Sequence, residues 1–434
     1  MGSSVRSPFA KDGLGEKLRI VVHDFSGHPG QLQLSRELAR RGHTVEHQYC
    51  KSYTTGKGAT SRFVSDPESF SIRSIALPGE FARYSPLRRV VQEFRYGWLA
   101  TRAVSEARPD VVILSNVPLI PLTIISAAFR ARRLPYIFWW QDVYSEAIGA
   151  AAKKRLGVIG TAVAWLANAL ERSVARHAAA IVAITEAFLD RLDSWGIDPR
   201  MATVIPNWGA LDEVSPQPRK NPWSSSHGLD DVTVVMYAGT LGLKHDPAVI
   251  ADLARNVRDD CRVVVVSQGQ GREWLERNCG ANDKLILLDY QPYEQLSEML
   301  ATGDVLLAIL EDDASRYSVP SKVLNYLCAG RPVFAILPSD NSVAKTIQTA
   351  RAGVVAPVKG SGDPSAALNQ LLQDLPLREA MAANARIYAE QAFELTAIGD
   401  GFEAVINRSA GIPLPTGPIM METLQRRGQG GDST

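Results

Sequence analysis

Short runs of β-branched and aliphatic residues alternate along the chain with stretches whose apolar positions recur every three to four residues, the order that builds parallel sheets from βαβ units. Residues 18–23, 44–49, 110–115, 136–140 and 180–184 predict a first series of strands, and 232–238, 262–267, 284–288, 305–310 and 332–336 predict a second. Val249, Ile250, Leu253, Ala254 and Val257 mark the apolar face of a helix laid on a sheet. Between the two series, residues 207–223 hold three prolines and little periodicity, which predicts a linker. The pattern is that of an α/β chain with two doubly wound, Rossmann-like domains, residues 17–205 and 206–389, and a helix at about 390–408 crossing back to the first. Such sheets bind ligands outside the carboxyl ends of their strands, so the site is expected in the cleft that the two domains face. Residues 409–434, with a proline cluster and a polar glycine-rich end, read as a disordered tail.

Composition narrows the partners. A length of 434 residues with 45% hydrophobic content is enough for two buried cores. Lys and Arg number 47 against 46 acidic residues, so the net charge of +1 offers no field to steer nucleic acid, and any charged partner must meet a local patch. Cys50, Cys261, Cys279 and Cys328 have no paired spacing, which suits reduced thiols in the cytoplasm rather than a zinc site or disulfides. Residues 1–17 lack the apolar core of a secretory signal, and the charge-free stretch 156–170 is shorter than the ~20 residues of a spanning helix. Residues 81–98 place Arg83, Arg88, Arg89 and Arg95 among five aromatics. That mixture suits either an anionic membrane surface or a helix packed on the first sheet, and Lys153, Lys154 and Arg155 offer a second such place.

Three turns carry candidate chemistry. The first strand runs into His23, Asp24, Phe25, Ser26, Gly27, His28, Pro29 and Gly30 before a helix; Gly27 and Gly30 admit backbone close to an anion or simply make a tight turn. In the second half Gly239, Thr240 and Gly242 precede Lys244, and a glycine loop beside a cation suits a diphosphate. The third turn holds Tyr317, Ser318, Pro320, Ser321, Lys322 and Asn325, with a helix starting near Pro320 and stopping at Gly330, so that free amides, the helix dipole and Lys322 face the same anion. Gln268 and Gly269 follow another strand and admit a nucleotide backbone or serve a turn. Asp142, after the strand at 136–140, is a candidate to orient an acceptor hydroxyl or a donor sugar, with a helix cap or ion pair as the alternative. The acidic run Glu311, Asp312 and Asp313 reads as a solvated turn before a metal site, and the seven histidines form no helical metal pair.

The run 319–333, the loop 239–244 and Gly27, His28 and Pro29 with residues 34–43 together resemble the family 4 retaining glycosyltransferases, within them the branch for colanic acid, O-antigen and other surface polysaccharides. The similarity spans residues 17–408. It implies the GT-B fold, a nucleotide-diphosphate sugar on the second domain and an acceptor, lipid-linked or a polysaccharide precursor, on the first. It also implies no metal and no other cofactor: Lys244, Lys322 and the helix start would stabilise the leaving diphosphate. Tyr290 or Tyr293 would pack on the base, in the turn that flanks it in the family. Two glutamates seven residues apart, common in the family, are here Tyr317 and Asn325, so Asn325 would take the ribose hydroxyls with its amide. Thr240 stands nearest to the family's arginine before the phosphate lysine, and Gln141 stands where a histidine usually lies. A nucleotide-sugar epimerase and a catalytically degenerate nucleotide-sugar-binding subunit are the rival readings of the same fold.

Overall fold

The computed structural model describes residues 17–53, 57–79, 81, 85–242, 245–280, 282–311, 319–358 and 362–411. Of the proposed tail 409–434, Ser409 is the last residue of the final helix and residues 410–411 form a turn after it, while 412–434 lie outside the described residues, as do Arg83, Lys244, Asp312, Asp313, Tyr317 and Ser318.

The first sheet contains β1 (Arg19–Asp24), β2 (Thr44–Cys50), β3 (Phe70–Ile75), β4 (Val111–Ser115), β5 (Tyr136–Trp140), β6 (Ala180–Ala183) and β7 (Ala202–Val204). All its pairings are parallel, in the order β3-β2-β1-β4-β5-β6-β7. Its helices are α1 (Pro29–Arg40), α2 (Pro86–Ala107), α3 (Leu119–Arg132), α4 (Tyr144–Leu156), α5 (Val158–His177) and α6 (Ala187–Ser194). The short α7 (Pro222–Ser226) ends the linker. The second sheet has β8 (Thr233–Ala238), β9 (Cys261–Val266), β10 (Leu285–Leu288), β11 (Val305–Ile309), β12 (Val333–Ile336) and β13 (Gly353–Ala356), ordered β10-β9-β8-β11-β12-β13 and again parallel. With it go α8 (Pro247–Asn256), α9 (Gln270–Cys279), α10 (Leu296–Thr302), α11 (Ser321–Cys328), α12 (Ser342–Thr349), α13 (Pro364–Gln373) and α14 (Leu375–Ala392). The chain then returns as α15 (Leu395–Ser409), which packs on α1, β5 and β6 of the first domain.

The central strands are buried on both faces, which is why they read as unbroken apolar runs such as VVILS in β4 and TVVMYA in β8. Right-handed crossovers in opposite senses put α1 on one face of the first sheet and α2, α3 and α5 on the other. The three strands that periodicity does not predict are all edge strands: β3 reads FSIRSI with two exposed positions, β7 has three residues, and β13 opens on glycine.

The linker is a packed element rather than a loose tether. Trp208 stacks on Trp139 at 5.6 Å, donates its indole N–H to Gln33 Oε1 at 3.0 Å and is met edge-on by Phe402 of α15. At Gly209 an added Cβ would lie 2.5 Å from both Cys328 Sγ and the Leu324 carbonyl, so α11 presses directly on linker backbone. α15 is fastened by Arg41, 2.7 Å from both Asp400 and Glu403, and by Arg408 on Thr203 at 2.8 Å. Its Gly401 lies over Ile205, where a Cβ would meet the side chain at 3.3 Å, and Arg386 of α14 reaches the Val214 and Cys328 carbonyls at 3.3 and 2.8 Å.

Two fully buried histidines in the first core set a pH response. Burial lowers His23 from 6.5 to about 4, a bond to Gln48 opposing, and lowers His47 to about 3 with help from nearby His23 and Arg36. The unfolded chain therefore binds protons that the folded chain refuses between pH 6.5 and about 4, and their stabilising effect, complete above pH 6.5, is lost as pH falls through that window. Each histidine contributes a slope of ~1.4 kcal/mol per pH unit. Urea unfolding of His23→Gln at pH 7.5, 6 and 5 is expected to show a shallower pH dependence than wild type; equal slopes would mean that His23 takes up its proton as readily in the core as in the unfolded chain.

Candidate active site

At the end of β8 the chain turns at Gly239, whose φ of +133° is open to glycine and strained for other residues. This turn is held from below by two buried tyrosines. Tyr326 of α11 accepts the Ala238 N–H at 3.0 Å and reaches the Ala238 and Leu307 carbonyls at 3.1 and 3.3 Å, joining α11 to β8 and β11. Tyr237 donates to the Thr240 carbonyl at 3.0 Å and accepts a hydrogen bond from Lys322 Nζ. The ammonium also lies 3.8 Å from the centroid of that ring. A Cβ on Gly239 would stand 3.3 Å from Lys322 Cε and 3.6 Å from Nζ, so the missing side chain is what lets the cation lie against the turn. Lys322 is partly buried, and burial lowers its pKa from 10.5 to about 7. The start of α11, with Pro320 at the N-cap and no side chain capping it, meets Lys322 and Gly239 at the point where the strand order of the second sheet reverses. The positive end of α11 and the partly buried cation meet there, a combination that suits an anion.

The other donor-side candidates divide. Thr240 Oγ1 is hydrogen-bonded to the Tyr290 hydroxyl, which brings the exposed Tyr290 ring to the rim of the same turn. Tyr293 is elsewhere: burial and the Glu213 carboxylate raise its hydroxyl well above the usual range, on the linker side of α11. Gln268 accepts the Leu241 N–H through its carbonyl at 3.1 Å, and Cβ atoms on Gly269 or Gly271 would strike Leu241 at 3.1 and 2.6 Å. What those glycines demonstrably do is make room for Leu241. Asn325 accepts the Ala210 N–H of the linker with its Oδ1 at 3.1 Å. Ser321 is exposed in the first turn of α11.

On the facing domain, Gly27 turns with φ +73°, whereas Gly30 lies against Trp208, 3.6 Å from where its Cβ would be, an ordinary contact distance. Sequence reasoning passed over Asp24, which organises this turn. Its fully buried carboxylate accepts from Ser26 N at 3.3 Å, His28 N at 2.5 Å and Asn116 Nδ2 at 2.9 Å; burial raises its pKa and these donors oppose the rise. Asn116 sits in the left-handed region at the end of β4, so the pair marks the reversal point of the first sheet. Gln141 exchanges two hydrogen bonds with Asn207, at 3.0 and 2.7 Å, tying the end of β5 to the linker beside the partly exposed Asp142. A second missed residue, Glu171, is fully buried and accepts from Trp140 Nε1, Tyr144 N and Ser145 N at 3.1, 3.0 and 2.9 Å, which fixes the first turn of α4 next to Asp142. Its signal was available: it is the lone carboxylate after a long apolar run. Among the described residues no group of three His, Cys, Asp or Glu side chains is placed to hold a metal.

Residues 28–208 match the glycosyl transferase 4-like domain and residues 220–388 match the glycosyl transferases group 1 model, in the order of the two sheets. The chain belongs to the family 4 glycosyltransferases. Among its relatives, the alpha-D-kanosaminyltransferase of Streptomyces kanamyceticus is 27% identical over 248 residues, 54% of this chain and 62% of that protein. The putative colanic acid biosynthesis glycosyl transferase WcaI of Escherichia coli is 24% identical over 189 residues, 42% and 46% of the two chains. The chain thus spans under two thirds of each of these relatives. The HepE crystal structure from Anabaena, in complex with UDP-glucose, superposes with a TM-score of 0.62 at 13% identity, covering 90% of this glycosyltransferase and 99% of HepE. That likeness gives the GT-B fold: two parallel Rossmann-like sheets about a cleft.

Proposed function

We propose that this family 4 glycosyltransferase binds a nucleoside-diphosphate sugar against its second domain and transfers the sugar, with retention at the anomeric carbon and without a metal ion, to an acceptor on the first domain. The observation that carries the reading is the Lys322 ammonium lodged against Gly239 at the open start of α11. A departing diphosphate gains charge as the anomeric bond breaks, and a fixed cation with helix amides stabilises it most at that moment. Lys244, expected from its place in the glycine loop, adds a second cation. Tyr290 at the rim packs on the base, and the Asn325 amide faces the ribose. The anomeric carbon exchanges its bond to the diphosphate oxygen for one to the acceptor oxygen, the acceptor hydroxyl's proton leaves with the departing diphosphate, and Asp142 orients that hydroxyl. HepE was crystallised with UDP-glucose, which supports a nucleotide-sugar donor, and WcaI is named for colanic acid biosynthesis, which supports a surface-polysaccharide precursor as acceptor; the reading takes that acceptor as lipid-linked.

Membrane contact by residues 81–98 takes a narrower form than the sequence suggested. Phe81 and Tyr96 are buried in the core and Arg89 is paired with Glu93 at 2.7 Å, while Arg88, Arg95, Phe94 and Trp98 remain exposed on α2.

The test is nucleotide release from a panel of nucleotide sugars, with and without a bacterial lipid extract as acceptor source, in the presence and absence of excess chelator. Release that depends on acceptor and survives chelation is expected. Consumption of the nucleotide sugar without acceptor would make the protein an epimerase, binding without turnover would make it a binding subunit, and activity lost on chelation and restored by magnesium would overturn metal independence.

A further inference from the structure

The hairpin of α4 and α5 takes no part in this chemistry, and its construction is inside out. Its seam is made of small residues: a Cβ on Gly160 would lie 2.2 Å from the Ala152 carbonyl, and one on Gly149 would lie 3.0 Å from Ala164 Cβ. With backbones so close, the bulky side chains are left on the outside. Ile148, Leu156, Val158, Ile159, Trp165 and Leu166 are all exposed, Val158 by 90% and Trp165 by 71%. Of the 17 exposed large hydrophobics among the described residues, six belong to this hairpin and five, Leu87, Val90, Val91, Phe94 and Trp98, to α2. Two elements therefore hold eleven of the 17 exposed large hydrophobics among the described residues.

Both elements project from the sheet on the same face. Glu171 ties α5 to Trp140 at the end of β5, so the 13 residues of α5 before it run beyond the sheet, ~20 Å at the helical rise. Tyr96 bonds His23 near the end of β1, so the first turns of α2 overhang in the same direction. The overhang is at the carboxyl edge, beside the cleft. Charge completes the description: residues 147–170 contain no Asp or Glu, and the three cations Lys153, Lys154 and Arg155 sit exposed at the turn. Behind the turn a hollow of about 560 Å³ is lined by Glu146, Lys153, Trp165, Asn168 and Arg191.

We propose that the α4–α5 hairpin is a wedge that enters an anionic lipid surface, with Leu156, Val158 and Ile159 reaching the acyl boundary, Lys153, Lys154 and Arg155 on the headgroups, and α2 lying alongside. No described helix is long and apolar enough to cross a bilayer, so the wedge lies in the interface. A second copy of the chain is a poorer occupant, because a self-interface at the tip would bury three cations from each copy with no carboxylate in residues 147–170 to pair them. The inference rests on the proposed membrane-bound acceptor and locates how the enzyme meets it.

The test uses the full chain and vesicles of phosphatidylcholine with phosphatidylglycerol, some carrying brominated acyl chains. Wild type is expected to sediment with the vesicles and lose Trp emission to the bromines, and Trp165→Phe is expected to remove most of that quenching. Ile159→Glu, at an exposed site that folding does not need, should weaken sedimentation at least about tenfold, since a carboxylate is expensive in the acyl boundary. Lys153, Lys154 and Arg155 changed to Gln should cost about fivefold each on anionic vesicles. Donor binding, read as a thermal shift with UDP, should be unchanged in all of them, so a failed wedge and a failed donor site are told apart. The proposal is overturned if Ile159→Glu sediments like wild type, if only Arg88→Gln and Arg95→Gln reduce binding, if no protein sediments, or if the apolar tip proves to hold a dimer on a sizing column.

Discussion

Replacing Lys322 with methionine is expected to move stability and nucleotide affinity in opposite directions. The folded-state pKa of about 7 lies below the ordinary 10.5, so between those values the unfolded chain binds the proton that the folded chain gives up. Stability accordingly rises with pH from 7 to 10.5, and below pH 7 the full cost of a buried ammonium is present. Methionine removes that cost and fills similar space; a gain of about 1–4 kcal/mol at pH 6 is in the range seen when buried charge gives way to apolar side chains. The same change deletes a charge-assisted contact to the diphosphate and should weaken UDP binding by about 1.5–3 kcal/mol. In wild type the bound anion restores the proton, so binding takes up a proton above pH 7 and affinity falls as pH rises. Titration calorimetry of UDP in two buffers of different ionisation enthalpy reads that uptake. Undiminished UDP affinity in Lys322→Met would remove the anion site from the start of α11.

Glu171→Ala should be among the most destabilising single changes in the first domain. Burial raises this carboxyl, and the Ser145, Trp140 and Tyr144 donors pull it back; without it three buried N–H groups lose their acceptor at once. A loss of about 3–5 kcal/mol is expected by urea unfolding, and Glu171→Gln, which keeps one acceptor oxygen, should lose about 1–2 kcal/mol. Because two of the donors are the first amides of α4, hydrogen exchange at Tyr144 and Ser145 should quicken in both variants. A loss under about 1 kcal/mol for Glu171→Ala would mean that water replaces the carboxylate and that the hairpin is not anchored there.

The sequence was most legible where one local pattern suffices. Val263–Val266 and Val111–Ile113 announce central strands because burial on both faces leaves only apolar residues. The start of α11 and Lys322 were legible because proline, the following helix and the closing Gly330 are contiguous. What no local pattern carries is pairing across the chain. Asp24 meets Asn116 from 92 residues away, and Asn325 gives its oxygen to Ala210 from 115 away. The burial that depresses the pKa of Lys322 and its contact with Tyr237 are both tertiary, and an ordinary-looking strand said nothing of a cation on its ring. Gly269 shows the same limit: it reads like a ligand turn, and the sequence does not show that a Cβ there would meet the Leu241 carbonyl at 3.1 Å, a steric reason for glycine.

The chain passes between the two sheets twice, once outward through Ile205 to Asn221 and once back at Phe393 and Glu394, and the passages lie side by side, Gly401 on Ile205 and Arg386 on Val214. Two adjacent straps restrain relative motion differently from one. Rotation about the line they share leaves both nearly slack, whereas twisting about the perpendicular must stretch one strap and compress the other against Trp208. Opening and shutting of the cleft is thereby guided toward a single swing about the line that the two straps share.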